Sequence, residues 1–200
     1  MGLGYMTKNK FYIIPGWGER LTDKNYRQLI RAVSPKYEVV PLRVQTRNRK
    51  YSLGSEASFF GVAKKISDQM PVSTDRDVLL GFSIGALLAY QIARYRKFKN
   101  IILCSLPPLF GNDIFQFSKK EISDLALGQQ KEMSKLKYFP LLTKNVTIFW
   151  GEKEAEAVQL RGRQLALRKG WKSFIVKKAG HKLGGEYLDK LLEFVVEWAK

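Results

Sequence analysis

The sequence predicts an α/β fold: a doubly wound, mainly parallel sheet of about six strands in a single domain spanning residues 1–200, with a short helical lid insertion at about 110–145. Short β-branched and aromatic runs alternate with helical patterns along nearly the whole chain, which is typical of strand–helix–strand units around a parallel sheet. The 200 residues are 45% hydrophobic and 12% aromatic. This is the size of one ordinary domain, with enough apolar side chains to bury a core.

The first half of the chain contains three predicted strands and two amphipathic helices. Apolar residues recur at helical spacing over 26–33, and Thr22 or Asp23 is the candidate N-cap of this helix. Ser55 is the candidate N-cap of the second helix, whose apolar face falls within 59–70. The strands predicted in this half are 11–14, 37–44 and 77–81.

The second half contains three more strands and three helices. A helix from Ile84 to about Arg96 is apolar on most sides, so we expect it to be the most buried helix and to cross the sheet centre. Another helix is predicted over 155–169. The final helix carries a single apolar stripe made of Leu188, Leu191, Leu192, Val195 and Trp198. The strands predicted in this half are 101–105, 146–150 and 172–177.

The predicted lid is the stretch that interrupts this alternation. Residues 110–145 are about twice the length that a plain crossover needs, and they mix apolar side chains with six lysines.

A G-x-S-x-G pattern, Gly81-Phe82-Ser83-Ile84-Gly85, joins the third strand to the buried helix. This pattern forms a sharp turn that holds the serine in strained dihedrals and projects its Oγ above the sheet edge. Glycine is needed at both outer positions because a Cβ at either one would collide as strand and helix close on each other. Ser83 is therefore the candidate nucleophile.

A nucleophilic serine needs a base, and His181 is the only histidine in the chain. A lone histidine is often an ordinary surface or core residue. Here it follows the last strand in a glycine-flanked loop, which favours a catalytic base. The acid that orients the imidazole is expected after the fifth strand, where the chain has three candidates: Glu152, Glu154 and Glu156. The alternative is that these carboxylates only provide negative charge at the start of a helix, which the helix dipole favours.

These residues resemble the α/β-hydrolase superfamily, and the likeness runs from Phe11 to Lys200. It implies a small, minimal serine-esterase-like member that lacks the first two antiparallel strands of many relatives and needs no cofactor. In that family the acid commonly sits three residues after the glycine that ends the strand, which here is Glu154. Asp113, after the fourth strand, corresponds to the position that some members use instead.

The segment Pro15-Gly16-Trp17-Gly18 is similar to the H-G-x-G oxyanion loop of the same family. The resemblance implies that the backbone amides of Trp17 and Ile84 bind the oxyanion. Pro15 stands where histidine is common, which changes the local hydrogen bonding. An ordinary turn with a core tryptophan is the alternative.

The charge of the chain is strongly basic: 35 Lys and Arg against 18 Asp and Glu give a formal net charge of +17. Arg43, Arg47, Arg49 and Lys50 follow the second strand closely. Loops at the carboxyl ends of parallel strands surround the crevice, so these residues predict a basic rim, with a solvated loop as the alternative. Lysines of the predicted lid extend the same rim: Lys119, Lys120, Lys131, Lys135 and Lys137.

Several other classes of protein fit the sequence poorly. It has no zinc spacing, recognition-helix pattern or basic tail, which argues against nucleic acid binding, and one histidine with one cysteine argues against a metal site. Its apolar stretches fall short of the ~20 residues of a membrane span, and its start lacks a signal-peptide pattern. Cys104 lies in an apolar run with no possible disulfide partner in the chain, so we expect a soluble cytoplasmic protein.

Two functions remain after these exclusions. The first is a serine carboxylesterase-like hydrolase that cleaves an ester, thioester or lactone through Ser83, His181 and Glu154 and an acyl-enzyme. Its expected substrate is a small ester or acyl compound, and the basic rim would suit one that is anionic or carried on an acidic protein. The Gly-Trp-Gly loop resembles that of the pimeloyl-carrier-protein methyl esterases, which implies such an acidic carrier. The second is a non-catalytic protein of the same fold that binds an acidic partner through its basic surface.

The predicted basic rim can be tested by its effect on association. Replacing Arg43, Arg47, Arg49 and Lys50 by Gln should lower kcat/KM for an anionic or carrier-bound acyl substrate several-fold at low salt. The loss should vanish near ~1 M salt, where the screening length falls to about 3 Å. A neutral short-chain ester is the control, and equal effects on both substrates would contradict the rim.

Overall fold

The computed structural model describes residues 8–16, 18–42, 58–107, 145–167 and 170–198 of the chain. These ranges contain six strands and five helices. The strands are β1 (Asn9–Ile14), β2 (Tyr37–Pro41), β3 (Val78–Phe82), β4 (Asn100–Cys104), β5 (Val146–Gly151) and β6 (Trp171–Val176). The helices are α1 (Lys24–Val33), α2 (Phe59–Gln69), α3 (Ile84–Ile92), α4 (Glu156–Ala166) and α5 (Glu186–Trp198).

The six strands form one sheet in the order β2-β1-β3-β4-β5-β6, and every pair between neighbouring strands is parallel. The predicted sheet is therefore confirmed. All residues of the central strands β3 and β4 are buried. This is expected of parallel strands that helices cover on both faces, and it explains why these strands are continuous apolar runs in the sequence.

Helices cover both faces of the sheet, which confirms the doubly wound arrangement. Along β1, Tyr12 and Ile14 belong to a core with the buried residues of α2, α3 and α4. Phe11 and Ile13 belong to a second core with those of α1 and α5. Side chains of a strand alternate between faces, so each strand contributes to both cores.

Helix α3 crosses the sheet centre, and all nine of its residues are buried. This confirms the predicted burial, but the predicted end near Arg96 is wrong, because the helix ends at Ile92. Residues 93–96 are turns that carry the Arg96 side chain to α2. There Arg96 Nε donates to Ser67 Oγ at 3.1 Å, and its Nη2 donates to the Ser67 carbonyl at the end of α2.

Three other predicted boundaries are wrong by a few residues. Helix α4 ends at Ala166 rather than at residue 169. Ser58, not Ser55, is the N-cap of α2, and its Oγ accepts the amide of Gly61 at 2.9 Å. Strand β2 ends at Pro41 rather than at residue 44, although the amide of Leu42 still donates to the Ile13 carbonyl of β1 at 2.9 Å. Of the two candidate caps of α1, the structure has Asp23.

The predicted lid, 110–145, lies outside the described residues apart from Asn145. Among the helices that are described, none has the length and apolar character needed to cross a membrane.

Candidate active site

The carboxyl ends of neighbouring strands bring four polar side chains together. Ser83 follows β3, Ser105 follows β4, Glu154 lies three residues beyond β5, and His181 lies in the loop after β6. All strands run in the same direction, so these positions meet at one edge of the sheet, where open α/β sheets bind their ligands.

Ser83 lies in a strained turn between β3 and α3, with φ 53° and ψ −122°. Non-glycine residues with positive φ are uncommon, and the surrounding structure must maintain such a conformation. A Cβ on Gly81 would overlap the backbone of Gly85 and Ala86, and a Cβ on Gly85 would overlap the carbonyls of Ile14 and Pro15. The two glycines therefore allow the close approach of strand and helix that the turn requires.

A continuous hydrogen-bond chain links Ser83, His181 and Glu154, and we call it the Ser–His–Glu chain. Ser83 Oγ is 2.8 Å from His181 Nε2, and His181 Nδ1 is 2.8 Å from Glu154 Oε2. An ionised carboxylate can only accept, so Nδ1 donates to Glu154 and Nε2 is left to accept the serine proton. The His181 side chain is 44% exposed, whereas that of Glu154 is 0% exposed. The imidazole is thus open to solvent, while water is kept from the carboxylate.

Of the three candidate acids, only Glu154 contacts His181 among the described contacts. Its Oε1 accepts the Gly151 amide at 2.7 Å and the Ser105 hydroxyl at 2.6 Å. Glu152 is exposed and accepts the amide of Lys178 at 2.9 Å. Glu156 is exposed in the first turn of α4, where a negative charge suits the helix dipole.

The loop after β1 is held by a carboxylate and a phenol. The amide of Gly16 donates to Glu19 Oε2 at 2.9 Å and to Tyr26 Oη at 3.0 Å. Tyr26 in turn donates to Glu19 Oε2 at 2.6 Å. The Glu19 amide closes a turn on the Gly16 carbonyl, and Gly18 within that turn has φ 75°. Glu19 and Tyr26 thus supply the local hydrogen bonds of this loop. In the H-G-x-G loop that it resembles, histidine is common at the position of Pro15.

Burial raises the pKa of Tyr26 well above its usual range, and the Glu19 carboxylate raises it further. The phenol therefore stays protonated near neutral pH and can donate to Glu19. Burial likewise raises the pKa of Cys104, which keeps this core residue a thiol.

The predicted oxyanion donors are only partly described. Ile84 directly follows Ser83 and begins α3, so its amide lies at the N-terminus of that helix. Trp17 lies outside the described residues, as do Asp113 and the predicted rim residues Arg43, Arg47, Arg49 and Lys50.

Four polar residues near the site were not predicted from the sequence: Glu19, Tyr26, Ser105 and Tyr187. The helical spacing over 26–33 predicts Tyr26 only as part of the apolar face of α1. The one sequence signal for Ser105 is a hydroxyl residue at the end of a buried apolar strand, which alone does not indicate a role. Within the described ranges, no group of three or more His, Cys, Asp and Glu side chains is placed to hold a metal ion.

Comparisons with known proteins identify the fold. No family model and no curated protein sequence matches the chain. Mouse alpha/beta hydrolase domain-containing protein 10 matches in structure with a TM-score of 0.74 at 15% identity, over 94% of this chain and 88% of that one. Est1E from Butyrivibrio proteoclasticus, with ferulic acid bound, matches with a TM-score of 0.74 at 15% identity, over 96% of this chain and 88% of that one. The type II thioesterase BorB, from the borrelidin biosynthetic cluster, matches with a TM-score of 0.66 at 16% identity, over 98% and 94%. The chain therefore has the α/β-hydrolase fold.

The assignment of the acid can be tested by isosteric amide substitutions. Glu154→Gln should lower kcat for ester hydrolysis by roughly 10² to 10⁴, because an amide cannot stabilise the imidazolium as a carboxylate does. Glu152→Gln is the matched control and should change kcat less than about twofold, since Glu152 is exposed and bonds only a loop amide among its described contacts. Equal losses in the two variants would contradict the assignment.

The role of Tyr26 in holding the loop after β1 predicts a defect in the chemical step. Tyr26→Phe removes a donor to the Glu19 carboxylate and an acceptor of the Gly16 amide, so kcat should fall several-fold with little change in KM. The free energy of unfolding should fall by about 1.5 to 3 kcal/mol, the usual range for hydrogen bonds to charged groups. Steady-state kinetics and urea unfolding measure both effects. Tyr95→Phe, at a tyrosine that is 46% exposed, is the control and should change neither.

Proposed function

We propose that the chain is a serine hydrolase that cleaves a carboxylic ester or thioester through an acyl-enzyme intermediate. The observation that carries this proposal is the Ser–His–Glu chain, with its two 2.8 Å contacts at the carboxyl edge of the sheet. Nucleophile, base and orienting acid lie within direct hydrogen-bond reach of one another, which is the geometry that activates a serine.

In the first half of the reaction, Ser83 Oγ attacks the substrate carbonyl while His181 Nε2 takes its proton. Glu154 holds the imidazole through Nδ1 and stabilises the imidazolium that forms. The developing oxyanion is bound by the amides of Ile84 and Trp17, as the loop resemblance implies. The imidazolium then protonates the leaving alcohol or thiol, and the acyl group remains on Ser83.

In the second half, water replaces the leaving group. His181 takes a proton from this water, whose oxygen attacks the acyl carbonyl. The imidazolium returns the proton to Ser83 Oγ as the acid product leaves. Every proton in the cycle passes through His181 Nε2, so the reaction needs no further titratable side chain.

Acyl compounds are the substrate class that the comparisons favour. Est1E is known with ferulic acid bound, and BorB is a type II thioesterase. We extend acyl substrates to this chain, and lactones share the same chemistry. The basic composition suits an anionic acyl compound or one attached to an acidic carrier protein. The segment 110–145 leaves the sheet after β4, at the carboxyl edge, and we propose that it covers the substrate as a lid of the same domain.

The alternative is a non-catalytic binder with this fold. A binding surface needs charge and shape, but it has no use for a serine held at φ 53° or for a buried carboxylate aligned on an imidazole. Backbone strain of this kind costs of order 1–3 kcal/mol and tends to occur at functional sites. The strain therefore supports the enzyme over the binder.

The proposal predicts covalent labelling of one serine. A fluorophosphonate probe should label the protein at Ser83, and Ser83→Ala should abolish both labelling and turnover of short-chain esters while the melting temperature stays close to that of the unchanged protein. His181→Ala should lose turnover equally, because the chain has no second histidine.

Ser173 provides the matched control for this experiment. It is an exposed serine on β6, so Ser173→Ala should retain labelling and activity. A Ser83→Ala protein that is still labelled, or that still turns over esters, would overturn the hydrolase proposal and leave the binding alternative.

A further inference from the structure

Ser105 is a second strained serine beside the site, and the mechanism above gives it no part. It follows β4, is 0% exposed and has φ 52°. Its amide donates to the Phe149 carbonyl at 2.8 Å, just as the Ser83 amide donates to the Cys104 carbonyl at 2.8 Å. The two serines thus occupy equivalent positions at the ends of neighbouring strands. A polar side chain held in a strained, buried turn points to a function.

The side chain of Ser105 joins the catalytic carboxylate to a buried phenol. Ser105 Oγ is 2.6 Å from Glu154 Oε1 and 2.9 Å from Tyr187 Oη. Tyr187, which begins the buried face of α5, also has its Oη 2.9 Å from the Phe149 carbonyl oxygen. Close polar contacts therefore run from the backbone of β5 through two hydroxyls to the oxygen of Glu154 that does not face His181, and the two hydroxyl protons can fill two of these three contacts at a time.

The directions of these bonds follow from the number of protons. The ionised carboxylate has none to give, so the Ser105 hydroxyl donates its single proton to Glu154 Oε1. Burial raises the pKa of Tyr187 well above its usual range, so the phenol stays protonated and donates to the Phe149 carbonyl or to Ser105 Oγ. Glu154 Oε1 then receives two donors, from Ser105 and from the Gly151 amide, and Oε2 receives His181.

We propose that Ser105 and Tyr187 are positioning residues that hold the Glu154 carboxylate with Oε2 aimed at His181. The inference rests on the proposed hydrolase function. A carboxylate at 0% exposure has lost its water, and only hydrogen bonds can replace that hydration. The Ser105 contact has the short length of a bond from a hydroxyl to an ionised oxygen. It fixes Oε1, which leaves Oε2 as the oxygen that faces the imidazole.

A purely structural role for Ser105 fits these observations less well. Glycine adopts φ 52° without strain and would serve the turn better. Of the two donors described for Oε1, a glycine at position 105 would keep the Gly151 amide and remove the hydroxyl. The hydroxyl therefore contributes something that the backbone conformation does not need, and the group that it contacts is the acid of the Ser–His–Glu chain.

Three variants separate positioning from folding. Ser105→Ala removes the donor, Ser105→Gly does so while relaxing the turn, and Tyr187→Phe removes only the second hydroxyl and keeps the ring that packs edge-on against Phe82. Thr147→Val is the matched control: it removes another buried hydroxyl of the β4–β5 pair, which contacts Asn100 rather than the site. Esterase kinetics are measured with a neutral short-chain ester from pH 5 to 9, below the melting temperature of each variant.

Both Ser105 variants should lower kcat roughly 10- to 100-fold, as expected when a buried charged group loses a hydrogen bond, while KM stays within about twofold. The acid limb of the kcat/KM profile should move to lower pH, because the misaligned carboxylate stabilises the imidazolium less. Tyr187→Phe should give the same pattern with a smaller loss. Thr147→Val should leave kcat and the pH profile unchanged, whatever it does to the melting temperature.

A double variant decides whether Ser105 acts through Glu154. In a Glu154→Gln protein, adding Ser105→Gly should lower kcat by less than about twofold further, since its target has gone. The inference would be overturned if Ser105→Gly lowered kcat in the Glu154→Gln protein by as much as it does in the unchanged protein. A normal kcat and pH profile in both Ser105 variants would also overturn it. If the Ser105 inference fails but Ser83→Ala abolishes turnover in the same assays, the hydrolase proposal still stands. If Ser83→Ala retains turnover, both the hydrolase proposal and the Ser105 inference are overturned.

Discussion

The contact between the first turn of α3 and the backbones of β1 and β3 leaves no room for a side chain, and the rest of the site depends on it. Gly81 and Gly85 meet across this contact, and their neighbour Ser83 is forced into a left-handed conformation. Because α3 is buried along its whole length, the turn cannot relax by moving the helix away. Packing of the core thereby fixes the position of one oxygen atom, Ser83 Oγ, against His181.

The other end of the Ser–His–Glu chain is fixed by polar contacts rather than by crowding. Glu154 has lost all contact with water, and its described partners come from the end of β4, the end of β5 and the loop after β6. The Ser105 amide is bonded to β5, Gly151 is the last residue of β5, and the His181 ring packs against the buried ring of Phe82. A parallel sheet is well suited to this arrangement, because the ends of its strands are held in register by the ladders between them.

Much of the fold and part of the site could be predicted from local patterns. Strand and helix periods gave the elements, and the parallel order brought Ser83, Glu154 and His181 to one sheet edge. Their catalytic roles remain proposals. Ser55 and Arg96 were assigned wrongly because cap and helix end depend on tertiary contacts, such as the bond of Arg96 to Ser67. Ser105 and Tyr187 are not predicted because they act across the fold, and a single sequence does not reveal which distant group a buried hydroxyl meets. Glu19 and Tyr26 have near neighbours as partners, but no sequence motif links a carboxylate and a phenol to the amide of Gly16.

The chain has a single histidine, compared with 35 lysines and arginines. Histidine is the side chain whose charge ordinarily changes between pH 5 and 8, while burial keeps the thiol of Cys104 out of that interval. The site therefore carries its own reporter: an imidazole nitrogen resonance in this protein belongs to His181 without assignment. The protonation state and tautomer of the group that the proposed chemistry requires can be followed directly in the unmodified protein, with no probe attached and no competing signal to subtract.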